Sequence, residues 1–255
     1  MNISLDNKTI FMTGALGGIA EEVIKTLHGS GARMILTDKV RREEALPVLE
    51  GYGLGEVAYY EMDVTDPDQV DTIFAQAHAD CGPVNVVLGH AGGTGVFPFG
   101  ECSRERFDHL VALNFTGQTY LARAALSAWR REQIAGHLIF TSSFVSRIPM
   151  VGISAYVASK AALEMFAKNL ALEYAPHGIR VNCVSPGNVA AGSSKLVYDN
   201  DEVYRAWVDR ISPLGRRNSA RGIANAFLFL CSELGEELDG HVLQVDQGVG
   251  LPKLG

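Results

Sequence analysis

The chain has little of what would direct it to a membrane, a nucleic acid or an oxidising compartment. Its four cysteines, Cys81, Cys102, Cys183 and Cys231, are widely spaced and none forms a Cys-x-x-Cys pair. Buried, reduced thiols are the expectation. The seven histidines include no His-x-x-x-His or other compact ligand spacing, so no metal site is expected. No apolar run approaches the roughly 20 residues of a membrane helix, and no N-terminal stretch has the form of a secretory signal. No membrane association and a cytoplasmic location are therefore expected. Basic residues are outnumbered, 22 against 29 acidic, and the net charge of −7 leaves no basic surface for nucleic acid. There is no internal repeat, low-complexity tract or Pro-rich linker, so the 255 residues are read as a single domain, 1–255.

What is present is alternation. Forty-seven per cent of residues are hydrophobic, enough for a substantial core. Short apolar runs, read as strands, lie near 8–12, 32–37, 56–60, 84–88, 137–141, 179–184 and 241–245. Helical stretches separate them at about 18–29, 41–50, 67–79, 104–131, 155–174 and 219–231. Continuous apolar strands alternating with helices predict an α/β fold, a doubly wound parallel sheet with helices on both faces. Ligands of such sheets bind beyond the carboxyl ends of the strands.

Two local patterns carry chemistry. The first strand, Lys8 to Met12, runs into Thr13-Gly14-Ala15-Leu16-Gly17-Gly18-Ile19-Ala20, and a second strand ends at Asp38. Glycines between strand and helix let backbone N–H groups approach a pyrophosphate. An acid about twenty residues further on can bind ribose hydroxyls. A plain turn and helix cap would also account for the glycines alone. The second pattern is Tyr156 and Lys160, four residues apart in a helix-forming run and therefore on one face. A fixed ammonium favours a phenolate, which predicts a lowered pKa for Tyr156. Taken alone, this pair also suits an ordinary amphipathic helix.

Together these regions resemble the short-chain dehydrogenase/reductase family. Thr13, Gly14 and Gly18 match its Thr-Gly-x-x-x-Gly-x-Gly motif, with Ala20 in place of the last glycine, and Tyr156 and Lys160 match its Tyr-x-x-x-Lys motif. Further family positions recur in order over almost the whole chain: Asp63-Val64, Gly89-His90-Ala91-Gly92, Asn114, Ser143 thirteen residues before Tyr156, and Pro186-Gly187. His90 departs from the usual Asn, and a packing role is favoured for it. Ala191 stands where the family has a Thr that holds the cofactor's carboxamide. The resemblance implies a Rossmann-like sheet of seven strands in the order 3-2-1-4-5-6-7. It also implies a cofactor-binding part over about 5–145 and a catalytic and lid part over about 140–255.

The resemblance further implies hydride transfer between a nicotinamide and the carbon of a secondary alcohol or ketone. Tyr156 is expected as acid/base. Lys160 would lower the tyrosine's pKa and bind the nicotinamide ribose, Ser143 would hold the substrate oxygen, and Asn114 would anchor a water for proton relay. The cofactor-binding set comprises Thr13, Gly14, Leu16, Gly17, Gly18, Ile19, Asp38, Asp63, Val64, His90, Ala91, Gly92, Tyr156, Lys160, Pro186, Gly187 and Val189. Asp38 would repel a 2′-phosphate by about 1–4 kcal/mol, so NAD is expected over NADP, although Lys39, Arg41 and Arg42 could soften that repulsion. The segment 188–210 reads as a substrate lid, and Phe97, Met150, Tyr198 and Ser143 are the candidate substrate contacts for a small polyol, sugar or cyclic alcohol. Small residues on 104–131 and 155–174 suggest a homodimer or homotetramer. A 3-ketoacyl-acyl-carrier-protein reductase and a non-catalytic NAD sensor are the alternatives. Asp38 and the negative charge oppose the first, and the retained Ser143-Tyr156-Lys160 set opposes the second.

Overall fold

The computed structural model describes residues 3–55 and 57–251. Seven strands form one parallel sheet: β1 (Thr9–Thr13), β2 (Arg33–Asp38), β3 (Ala58–Glu61), β4 (Val86–Gly89), β5 (His137–Thr141), β6 (Arg180–Pro186) and β7 (Val242–Val245). Their order is β3-β2-β1-β4-β5-β6-β7. The reversal of direction between β1 and β4 opens the crevice in which such sheets take ligands. The expected strand at 56–60 is found at Ala58–Glu61, and position 56 lies outside the described residues.

Nine helices are seen among the described residues: α1 (Ala20–Gly29), α2 (Arg42–Glu50), α3 (Pro67–Cys81), α4 (Arg104–Val111), α5 (Gly117–Glu132), α6 (Ser154–Tyr174), α7 (Gly192–Asn200), α8 (Glu202–Ile211) and α9 (Ala220–Cys231). The strands bury both faces, and period-two alternation decides which. On β1, Ile10 and Met12 pack with α1, α2 and α9, and Phe11 packs with α3, α5 and α6. Trp129 is wholly buried on the second side, its indole N–H donating to the Val84 carbonyl at 2.7 Å. The cysteines are all free; Cys183 and Cys231 are buried, whereas Cys81 and Cys102 are only half-buried, against expectation. No helix among the described residues is long and apolar enough to cross a membrane.

Two expectations are corrected. The helix read over 104–131 is two helices, parted by a π-helical turn at Ala112–Thr116. Within that turn the Asn114 amide donates to the Leu110 carbonyl at 2.9 Å, a side-chain bond to the backbone four residues earlier. The lid contains two helices that were not foreseen. Asp201 caps α8 by accepting from the N–H groups of Val203 and Tyr204, and Val208 and Ile211 turn inward from it.

Candidate active site

The site forms where β1, β4, β5 and β6 end. Thr13 is buried at the end of β1. Its hydroxyl accepts from the N–H groups of His90 and Ala91, both at 3.1 Å, and so ties the glycine turn to the segment after β4. Gly14 has φ +70°, and a Cβ there would meet the Ala91 Cα at 2.7 Å, so only glycine fits. Gly17 and Gly18 are exposed at the crest of the turn. No side chain caps the start of α1, where the Ala20 N–H donates to the Gly17 carbonyl at 3.0 Å, so the N–H groups that follow in the first turn have no side-chain acceptor. Asp38, at the end of β2, accepts from the Leu16 N–H through Oδ2 at 3.1 Å. Only Oδ2 is engaged in this bond. Arg41 pairs with Glu43 and Glu44, and Arg42 reaches the Tyr59 carbonyl. Two of the three cations expected near Asp38 thus have other partners, and Lys39 is exposed.

After β3, Asp63 is held through Oδ1 by the N–H and hydroxyl of Thr65, and Val64 is buried with its carbonyl facing Gly117. After β4, the His90 ring bonds the Thr141 hydroxyl at 2.8 Å and meets Phe227 edge-on. Burial and the nearby Lys160 push its pKa down to about 4, so the ring is neutral at pH 7. Gly92 lies between the Asn114 carboxamide and the Lys160 ammonium: a Cβ there would stand 2.8 Å from one and 3.3 Å from the other.

Tyr156 and Lys160 share one face of α6, with Lys160 only 3% exposed. Its ammonium donates to the Thr141 carbonyl at 2.7 Å and lies 5.8 Å from the centre of the Tyr156 ring. Burial draws the Lys160 pKa down to about 8. Tyr156 departs from expectation. Burial pushes its phenol above the usual value, and the opposing influence is a hydrogen bond with Ser143, not the charge of Lys160. Ser143 follows β5 in extended backbone, beside a 3-10 turn at Phe144–Ser146. Behind it, Glu164 accepts from the hydroxyls of Ser142 and Ser146. Asn114, fully buried, accepts from the Gly93 N–H and donates to the carbonyls of Gly93 and Leu110. Both amide hydrogens thus have protein acceptors.

Beyond β6, Gly187 passes so close to Asp246 that a Cβ would fall 2.7 Å from its Cα. Pro186 is buried, and Val189 packs in the core beside α1 and α9 while its carbonyl accepts from Arg217. Ala191 begins α7 without a side-chain cap. Gly192 then rests on Gly18.

The expected substrate contacts divide. Met150 joins Tyr156, Ile148, Val157 and Trp207 around a buried apolar cluster that includes Phe144, Ile211 and Val249. Phe97 instead lies under the Arg106 guanidinium, within the loop packed on α4. Tyr198 is engaged by the lid itself: its hydroxyl donates to Asp209 at 2.9 Å and Arg217 stacks 4.2 Å from its ring centre. Residue reading missed Thr141, Glu164, Ile211 and Val249. Of these only Glu164 had a local signal, since it continues the four-residue spacing of Tyr156 and Lys160.

The family model described as Enoyl-(Acyl carrier protein) reductase matches residues 14–250. The 5-keto-D-gluconate 5-reductase of Escherichia coli K12 is 30% identical over 96% of each chain. The galactitol 2-dehydrogenase (L-tagatose-forming) of Cereibacter sphaeroides is 32% identical over 96% of this chain and 95% of that one. A crystal structure of a short-chain type dehydrogenase/reductase from Mycobacterium marinum superposes with a TM-score of 0.88 at 30% identity, covering 98% of both chains. Other solved structures at 23 and 24% identity include NADP complexes, a likeness that concerns the fold alone.

Proposed function

The chain belongs to the short-chain dehydrogenase/reductase family, and from that premise we propose that it is an NAD-dependent oxidoreductase acting on a secondary alcohol or the corresponding ketone. The observation that carries the reading is the meeting of Tyr156, Ser143 and Lys160 beside Gly92 and the glycine turn, all at strand ends. A nicotinamide dinucleotide, when bound, supplies or accepts the hydride. The residues fit such a group: Gly14, Gly17, Gly18 and the uncapped start of α1 would receive the pyrophosphate, and Asp38 would receive the ribose.

Tyr156 exchanges the proton at the substrate oxygen. Burial keeps the phenol in the protonated form that donates to a ketone but makes it a weaker acid, which its hydrogen bond with Ser143 opposes. In the direction of alcohol oxidation, the Ser143 hydrogen bond favours the phenolate. Ser143 also offers its hydroxyl to the same substrate oxygen, where charge develops. Lys160, about 8 in pKa, remains mainly charged at pH 7 and sits where it can meet a ribose hydroxyl. Asn114 fixes the Gly93 loop over Lys160, and a relay water here would rest on its main chain rather than its amide.

We take NAD as the preferred cofactor because Asp38 presents a carboxylate and Arg41 and Arg42 are paired elsewhere. The sugar and polyol relatives support a small polyol or sugar, in either oxidation state, as substrate. The apolar side chains around Met150 and Trp207 support a substrate with one hydrophobic side, such as a cyclic alcohol. A homodimer or homotetramer in the cytoplasm completes the reading, supported by the exposed Met165 and Leu172 on α6. The test is NADH formation, followed by absorbance, across a panel of polyols, sugars, sugar acids and cyclic alcohols, with the ketones run in reverse. A panel without turnover, against detectable NADH binding, would leave a sensor as the better reading.

A further inference from the structure

Glu164 is the buried ionisable group that the proposed chemistry does not use. It is 6% exposed, on α6, one turn beyond Lys160. A buried carboxylate without partners is strongly disfavoured, so its partners explain its presence. Both are hydroxyls on the segment that follows β5, and both reach the same oxygen. The Ser142 and Ser146 hydroxyls lie 2.7 and 2.6 Å from Oε1.

Those two serines bracket Ser143. Ser142 is fixed to the sheet by its N–H on the Val184 carbonyl. The Ser146 hydroxyl also lies 2.7 Å from the Ser143 carbonyl, so its single hydrogen is shared between that carbonyl and Glu164. The Ser146 N–H donates to the same carbonyl at 3.0 Å. The main chain of Ser143 is thus held on both sides. Its own Oγ has only a long 3.5 Å contact with the Val145 N–H besides its bond with Tyr156. The helix that carries Tyr156 and Lys160 therefore also carries the group that fixes the serine opposite them.

We infer that Glu164 is a positioning residue: its carboxylate clamps Ser142 and Ser146 and thereby sets where Ser143 presents its hydroxyl beside Tyr156. The inference rests on the proposed oxidoreductase reading.

The test is Glu164→Leu, which fills the buried site with an apolar side chain and removes the charge and both acceptor oxygens. Rates with the alcohol are measured in the parent and in a Ser143→Ala background, with melting temperature and NADH binding as controls. Misplacing a reacting group by about 1 Å lowers rates by up to about 100-fold, so E164L should lower kcat by roughly 10- to 100-fold with NADH binding kept. In the S143A background the same change should alter kcat by no more than about twofold, because the group it acts through is gone. A purely structural role gives the same fractional loss in both backgrounds, and that result, or an unchanged kcat, overturns the inference. If E164L does not fold, Ser146→Ala tests the clamp from its other side with Ser142 still in place, and the same two outcomes decide. A parent chain that turns over no alcohol overturns the function and this inference with it. A parent that turns over while the losses are equal overturns the clamp alone.

Discussion

Gly18 and Gly192 lie back to back: a Cβ on Gly18 would stand 2.2 Å from the Gly192 Cα. The first residue of α7 therefore rests on the turn that would receive a pyrophosphate. Gly192 itself has φ +56°, which a residue with a Cβ adopts only at a cost of about 1–2 kcal/mol. Gly18→Ala should therefore weaken NADH binding by at least about tenfold, through displacement of backbone that cannot yield. Gly17→Ala, whose nearest neighbour is the Gly14 carbonyl at 3.2 Å, should do less. Fluorescence titration of NADH into both variants checks the order.

Tyr156→Phe removes the proton donor and keeps the ring in its apolar surroundings. The expected result is a fall in kcat of about 10²- to 10⁴-fold with cofactor affinity retained. Stopped-flow turnover alongside NADH titration makes the comparison. Full activity in this variant would exclude the phenol as acid/base.

Asp38→Asn keeps an acceptor for the Leu16 N–H and removes the negative charge. The ratio of kcat/KM for NAD to that for NADP should fall by at least about tenfold, because repulsion of a 2′-phosphate is relieved. Steady-state kinetics with both cofactors measures it. A wild-type preference for NADP would refute the assignment of Asp38 at the outset.

His90 predicts an acid limit to stability. Its pKa is about 4 in the folded protein and 6.5 when free, so the unfolded chain binds the proton first as pH falls. Its contribution is complete above about pH 6.5 and is lost between there and about pH 4, amounting to no more than about 3 kcal/mol. His137, buried and also shifted well down, contributes in the same direction. Denaturant unfolding at pH 7.5 and pH 5 should show the loss, and His90→Asn should reduce the difference while His137 keeps its share.

The sheet, the glycine turn and the Tyr156–Lys160 pair were legible because each rests on short-range spacing. Thr13 to Ala20 is a turn between a strand and a helix, and the strand order follows once the family resemblance is granted. What escaped the sequence depends on groups far apart in the chain. The Ser142–Glu164 bond joins the segment after β5 to α6, and although Glu164 continues the spacing of Tyr156 and Lys160, nothing in that spacing names Ser142 as its partner. The pKa of Tyr156 was misjudged because sequence spacing shows a neighbouring charge but not burial, and burial decides the direction. The helices α7 and α8 lie in a segment assigned only as a lid, although Asp201 offers a capping signal ahead of α8. Tyr198 is expected as a substrate contact from its place in the chain; its bond to Asp209 forms where α7 and α8 pack together, and its stacking with Arg217 depends on the segment after α8.

The π-helical turn at Ala112–Thr116 sets the phase of everything after it. Wound as an α-helix instead, the turn would take one residue fewer, and each following side chain would swing by about 100° around the axis. Trp129, Leu121 and Ala125 would then leave the core and Arg123 or Arg130 would turn toward it. One π-helical turn thus chooses which side of a sixteen-residue helix is the inside.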